Sequence, residues 1–194
     1  MTSQYPNLPR YWIGHSLGGQ IFPVVSNIES VNKIITVTSG NGYWRHNAPV
    51  LRNKVMFMWY FLVPLLTPIF GYFPGSKLGV VADLPRNAIW QWRKWCLNPS
   101  YIVGAETAHI DQHYQKISKP VTALSFSDDE MLSQKSIESL HGLLTGCDCK
   151  LIHISPQQVN LKRIGHFGFF RDGHQQTLWN KFLLPELQPQ SAKI

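Results

Sequence analysis

A serine hydroxyl is a weak nucleophile until a histidine takes its proton and a carboxylate holds that histidine in one tautomer. The sequence offers such a set in the order Ser16, Asp129, His166. Ser16 lies in Gly14-His15-Ser16-Leu17-Gly18, a G-x-S-x-G motif, directly after the short buried-strand pattern Leu8 to Ile13. On a strand-to-helix turn this motif strains the serine backbone and lifts its hydroxyl above the sheet. Gly14 and Gly18 are expected to flank a turn too crowded for a Cβ, with Gly19 carrying that freedom into the helix start. The motif alone is unspecific, so the chemistry depends on its partners.

The carboxylate is sought after the strand pattern Val121 to Phe126, where Ser127-Asp128-Asp129-Glu130-Met131-Leu132 follows. Acids at the C-terminal end of a strand are where α/β sites are built. Asp129 is preferred because apolar Met131 can tuck back two positions later, and Asp128 is the alternative. A competing reading has both acids capping a helix that begins near Met131. His166 lies on the loop Ile164-Gly165-His166-Phe167-Gly168-Phe169-Phe170-Arg171, after the strand pattern Cys149 to Ile154. Gly165 and Gly168 allow a tight turn, and burial of Phe167, Phe169 and Phe170 would hold the imidazole in place. His15, His153 and His174 read as surface or packing residues. His109 and His113 have the i, i+4 spacing of a helical metal pair but lack a third ligand and the glutamate of H-E-x-x-H, so no metal site is assigned.

The elbow Gly14 to Gly19, the Ser127-Asp128-Asp129 turn and the His166 loop together resemble the α/β-hydrolases, which share the order nucleophile, acid, histidine. More narrowly, they are similar to bacterial predicted hydrolases related to serine aminopeptidases and monoacylglycerol lipases. The resemblance covers nearly the whole chain. It implies an α/β fold corresponding to the C-terminal half of that architecture: a mostly parallel sheet of about four strands, flanking helices and a helical cap insertion. The partial core would comprise residues 1–47 and 102–187, the cap 48–101, and a loose tail 188–194. The resemblance also implies that four strands and an oxyanion loop are missing ahead of the elbow. Leu17 N–H is then the remaining oxyanion donor, and activity is expected to be weak.

The implied function is a serine hydrolase acting on an ester, thioester or amide with a small apolar acyl group and needing no cofactor. Two alternatives stand beside it: a catalytically inactive remnant or interaction protein, and a membrane-associated protein. Ester chemistry is favoured over peptidase chemistry because the insert is aromatic and has no carboxylate cluster to hold a free amino terminus.

The remaining elements position these residues. Strands are expected at Leu8 to Ile13, Lys33 to Thr38, Val121 to Phe126 and Cys149 to Ile154. A helix from Leu17 to about Ser30 is expected from Ile21, Val24, Val25 and Ile28, with Pro23 bending it. A final helix runs from about His174 to Leu184. The interval Val55 to Ser76 carries no charge, which is the length of a membrane span. Pro64, Pro68 and Pro74 interrupt it, and a lid with Met56, Phe57, Trp59, Phe61 and Phe70 lining an apolar pocket is the first reading. Contact with a membrane surface is the second.

Composition bounds the rest. A chain of 194 residues with 44 % hydrophobic content can bury one real core and is not disordered. Three cysteines without ligand spacing argue against a disulfide framework and for a reducing cytoplasm, and the first residues form no secretory signal. Net charge is +7, but the basic residues are scattered, so nucleic-acid binding is not assigned. If the strand before the elbow is a sheet edge, its unpaired backbone groups invite self-association.

Overall fold

Apolar runs bounded by polar turns become four parallel strands in the computed structural model, which describes residues 8–106 and 109–188. They are β1 (Tyr11–His15), β2 (Lys33–Val37), β3 (Val121–Phe126) and β4 (Cys149–Ile154), in the spatial order β1-β2-β3-β4. Ile34 opposes Val121 between β2 and β3, and Leu124 opposes Ile152 between β3 and β4. Every residue of β3 is buried, as expected for a central parallel strand covered on both faces. β1 pairs only with β2 among the described residues, and its Ile13 is 42 % exposed. The strand before the elbow begins at Tyr11 rather than Leu8.

The chain divides into two compact units, Met1–Gly40 with Asp111–Ile194, and Asn41–Ile110. In the first, Ile35, Val37, Leu124, Phe126 and Ile154 project from one face of the sheet against Phe169, Leu178 and Leu183. The last two belong to a helix of π type, Gln175–Leu183, one residue inside the expected bounds at each end. On the opposite face His141 of the helix Gln134–His141 is buried, bonded to Thr36 Oγ1 at 2.8 Å and donating from Nδ1 to Ile137 C=O. At the far end of the sheet Glu186 receives Lys33 Nζ of β2, Thr122 Oγ1 of β3 at 2.9 Å and Lys150 Nζ of β4 at 3.4 Å. One carboxylate thereby ties the turn Leu184–Leu187 to three strands.

The expected helix from Leu17 to Ser30 does not form. The segment is instead three short 3-10 turns, Ser16–Gly19, Phe22–Val24 and Ile28–Ser30. Pro23 has no N–H for an i→i−4 bond and its ring clashes with the preceding turn, so helix propagation stops there. Phe22, Pro23 and Ile28 are the buried apolar side chains of this stretch.

The second unit is built around α1 (Pro49–Phe70), a continuous helix whose centre, Met58–Leu62, is π-helical. A small antiparallel ribbon, Tyr72–Phe73 with Leu84–Pro85, and α2 (Arg86–Leu97) pack with it. Trp59 rests edge-on against Trp92 of α2, and Arg93 Nε donates to Trp59 C=O at 2.6 Å. Trp59 is 2 % exposed and belongs to this unit's core, whereas Met56, Phe57, Phe61 and Phe70 are exposed. The five residues expected to line one pocket thus fall on two sides of α1. His109, with φ 52°, precedes the helix Ile110–Gln115, so His109 and His113 do not form an i, i+4 helical pair.

Candidate active site

β1 ends at His15, and the next residue, Ser16, has φ 50°, the left-handed region that costs a non-glycine residue strain. The turn is held closed by Trp12, whose indole Nε1 donates to Gly18 C=O at 3.2 Å. It is also held by Ser39 Oγ, which donates to Gly14 C=O at 3.3 Å. A Cβ on Gly14 would lie 2.6 Å from Gly18 O and 2.7 Å from Gly19 Cα, and one on Gly19 would overlap Ser39 Oγ. Gly18 has open space where a Cβ would be, contrary to expectation. The crowding falls on Gly14 and Gly19, because these two backbones face each other across the turn.

The structure brings together the three residues singled out in the sequence. Ser16 Oγ lies 3.0 Å from His166 Nε2, and His166 Nδ1 lies 2.9 Å and 3.1 Å from the two oxygens of Asp129. Nδ1–H therefore donates to the carboxylate, which leaves Nε2 to accept from the Ser16 hydroxyl. The His166 and Asp129 side chains are 1 % and 3 % exposed, so the pair is shielded from water.

Asp129 has a second task. Its Oδ1 accepts the backbone N–H groups of Met131 at 2.7 Å and Leu132 at 3.0 Å, forming a local turn. Leu132, not Met131, is the residue that tucks into the interior, since two bonded N–H groups turn the chain inward one residue later than expected. The helix that follows begins at Gln134 and is capped by Ser133, not by either aspartate.

Sequence reasoning did not find the groups that hold the His166 loop. Asp128 Oδ2 accepts from Ile164 N–H at 2.8 Å, and Glu130 Oε2 accepts from His166 N–H at 3.1 Å. Three consecutive acids thus bind one loop, with the middle one on the imidazole. Arg163 Nη2 also reaches Glu130 at 3.3 Å. Burial pushes the Glu130 carboxyl upward, but backbone N–H donors, His166 N–H included, and the Arg163 charge outweigh it and hold the group below its usual range. The His166 carbonyl is gripped as well, by His15 Nε2–H at 2.9 Å and by Thr38 Oγ1–H at 3.3 Å. Burial lowers the pKa of His15, the bond to His166 C=O opposing that shift. The acid run was the only available signal for Asp128 and Glu130, because backbone partners leave no mark in the sequence.

In the His166 loop Gly165 has φ 66°, a conformation that glycine adopts without Cβ strain. Gly168 has no such φ, and a Cβ there would meet His174 and Ile164 at an ordinary 3.6 Å. Phe169 is fully buried and anchors the loop, stacked on Phe126. Phe167 and Phe170, expected inside, are 61 % and 42 % exposed and lie against the His15 ring at 5.6 Å and 5.5 Å. Phe167 also meets the His166 ring edge-on at 4.8 Å.

No family model and no curated protein matches the sequence. Solved structures do match the fold. An esterase of Pyrococcus furiosus, 12 % identical, aligns over 96 % of this chain and 56 % of its own with a TM-score of 0.50. Est1E of Butyrivibrio proteoclasticus, 16 % identical, covers 95 % and 66 % with a TM-score of 0.51. A monoacylglycerol lipase of Paleococcus ferrophilus, 11 % identical, covers 95 % and 70 % with a TM-score of 0.50. This chain spans little more than half to about two thirds of those proteins. The fold is that of the α/β-hydrolases, represented by four adjacent parallel strands and their flanking helices.

Proposed function

We propose that the chain is a serine hydrolase that transfers an acyl group from an ester to water. The observation that carries this reading is the continuous bond path from Ser16 Oγ through His166 to Asp129, set at the C-terminal ends of β1 and β3. In this reading His166 Nε2 takes the Ser16 proton as Oγ attacks the carbonyl. Asp129 stabilises the imidazolium, and the proton passes to the leaving alkoxide. Water then repeats the sequence on the acyl-enzyme. Leu17 N–H, next to the nucleophile, is assigned to the oxyanion. Leu17 and Phe167 are 44 % and 61 % exposed beside Ser16 and His166, which favours a small apolar acyl group over a charged one.

The resemblance pairs the N–H after the nucleophile with a second donor from an earlier loop. Losing one preorganised donor costs roughly 10²- to 10³-fold in rate. Hydrolysis of a short-chain aryl ester, compared with Ser16→Ala, tests the reading. Turnover that disappears in the variant supports it. Equal rates in both proteins favour the inactive remnant.

A further inference from the structure

The outer side of α1 is an anomaly for a folded unit in water. Phe57, Phe61, Leu65 and Ile69 form an i, i+4 ladder and are 52 %, 59 %, 61 % and 67 % exposed, with Met56 and Tyr60 beside it at 37 % and 48 %. The Phe57 and Phe61 rings stack on each other at 5.4 Å, with both still open to solvent. A helix of a water-soluble domain normally turns its polar residues outward, and contiguous apolar patches of this kind mark an interaction surface. At 22 residues the helix is long and apolar enough to cross a membrane, and most of it is not buried in the protein.

Two features argue for lying on a bilayer rather than crossing it. The opposite side of α1 is committed to protein packing: Met58, Trp59, Val63 and Thr67 are at most 5 % exposed, and Arg93 is bonded to the Trp59 carbonyl. As the single long apolar helix among the described residues, with its other side docked on a unit that carries charged side chains, α1 can offer a bilayer only its open face and so lies in the interface plane. The second feature is the charge around the ladder. Arg52 and Lys54 are exposed near its first turn, and Lys77 Nζ lies 5.9 Å from the Phe70 ring at its end. No acidic residue occurs between Glu29 and Asp83. Residues 41–110 hold seven Lys or Arg against Asp83 and Glu106, a net +5 out of the chain's +7.

We infer that α1 docks on an anionic phospholipid bilayer, with the ladder from Phe57 to Ile69 inserted among the upper acyl carbons and the flanking cations at the phosphates. Such insertion reaches about 5–10 Å below the headgroups. The aromatic rings of Tyr60 and Trp44, 6.5 Å apart and edge-on, would sit at headgroup level. The inference is independent of the hydrolase reading, since it uses no residue of the Ser16 site.

Co-sedimentation of the full chain with vesicles of equimolar phosphatidylcholine and phosphatidylglycerol tests it, alongside vesicles of phosphatidylcholine alone. The expected result is saturable binding to the anionic vesicles, at least about tenfold weaker on the neutral ones and weakened by salt. The triple variant Phe61→Ser, Leu65→Ser, Ile69→Ser should bind at least about a hundredfold more weakly. All three residues are exposed, and circular dichroism and a thermal melt establish that the variant is folded. Failure of the wild-type chain to bind the anionic vesicles would overturn the inference, as would equal binding by the folded variant. A lipid-free dimer that the triple variant dissolves would also overturn it, by assigning the ladder to a second copy of the chain.

Discussion

Asp129→Asn separates the two tasks of this carboxylate. The asparagine carbonyl can keep both backbone bonds of Oδ1, to Met131 and Leu132, so the turn survives. Its amide nitrogen then faces His166 Nδ1, where only a hydrogen-bond acceptor fits. The imidazole must move its proton to Nε2, which turns that nitrogen from an acceptor of the Ser16 hydroxyl into a donor. The same exchange in the serine-protease triad lowers kcat by about 10⁴ through the wrong tautomer, and a loss of about that size is expected here. The structural cost should be small, about 1 kcal/mol for one charge-assisted bond exchanged for a neutral one. For a chain of this size that is a fall in Tm of about 2–4 °C. Asp129→Ala, by contrast, strands two backbone N–H groups at about 1–3 kcal/mol each and should lower Tm by about 10 °C. The assay is the second-order rate of Ser16 labelling by a fluorophosphonate, which is measurable even when turnover is slow, with a thermal melt of each variant. An Asn variant that labels at the wild-type rate would refute the tautomer argument. One that melts as low as the Ala variant would refute the separation of tasks.

Gly14→Ala and Gly19→Ala should each destabilise the chain by more than about 3 kcal/mol, while Gly18→Ala is tolerated; chemical denaturation of the three variants checks this order. Burial of Glu186 works against its ionisation, but Lys33, Thr122 and Lys150 outweigh it and hold the carboxyl below its usual range. The stabilisation from such a depressed pKa is present above the unfolded value and lost as pH falls through the folded one. Glu186→Gln should therefore melt lower than wild type at neutral pH, with the gap closing in acid, as melts across pH would reveal. The outer edge of β1, unpaired among the described residues, should give concentration-dependent association that Ile13→Lys weakens; light scattering that finds a concentration-independent monomer would contradict this.

The parts of this molecule that follow from local pattern were legible in the sequence. β3 and β4 lie on the residues their strand patterns indicated, although only β3 is buried throughout and β4, with Lys150 and His153, is largely open to solvent. The convergence of Ser16, Asp129 and His166 was legible because each follows a strand, and parallel strands deliver their C-terminal ends to one side of a sheet. The segment after the elbow misled because Ile21, Val24, Val25 and Ile28 keep helical spacing while Pro23 removes the hydrogen bonding that a helix needs. Side-chain bonds to distant backbone were invisible. Nothing in the residue types of Asp128 and Glu130 says that their partners are Ile164 N–H and His166 N–H. The split of α1 into a packed and an open side was likewise hidden, since Trp59 and Phe61 are equally apolar on paper and differ only in what the fold sets against them.

The central claim is that Ser16 is a nucleophile activated by His166. It is tested most directly by treating the folded chain with a fluorophosphonate and mapping the adduct by peptide mass spectrometry. The account predicts a single adduct on Ser16, absent in Ser16→Ala and strongly slowed in His166→Ala. An unmodified folded chain, or an adduct on any other residue, would contradict it.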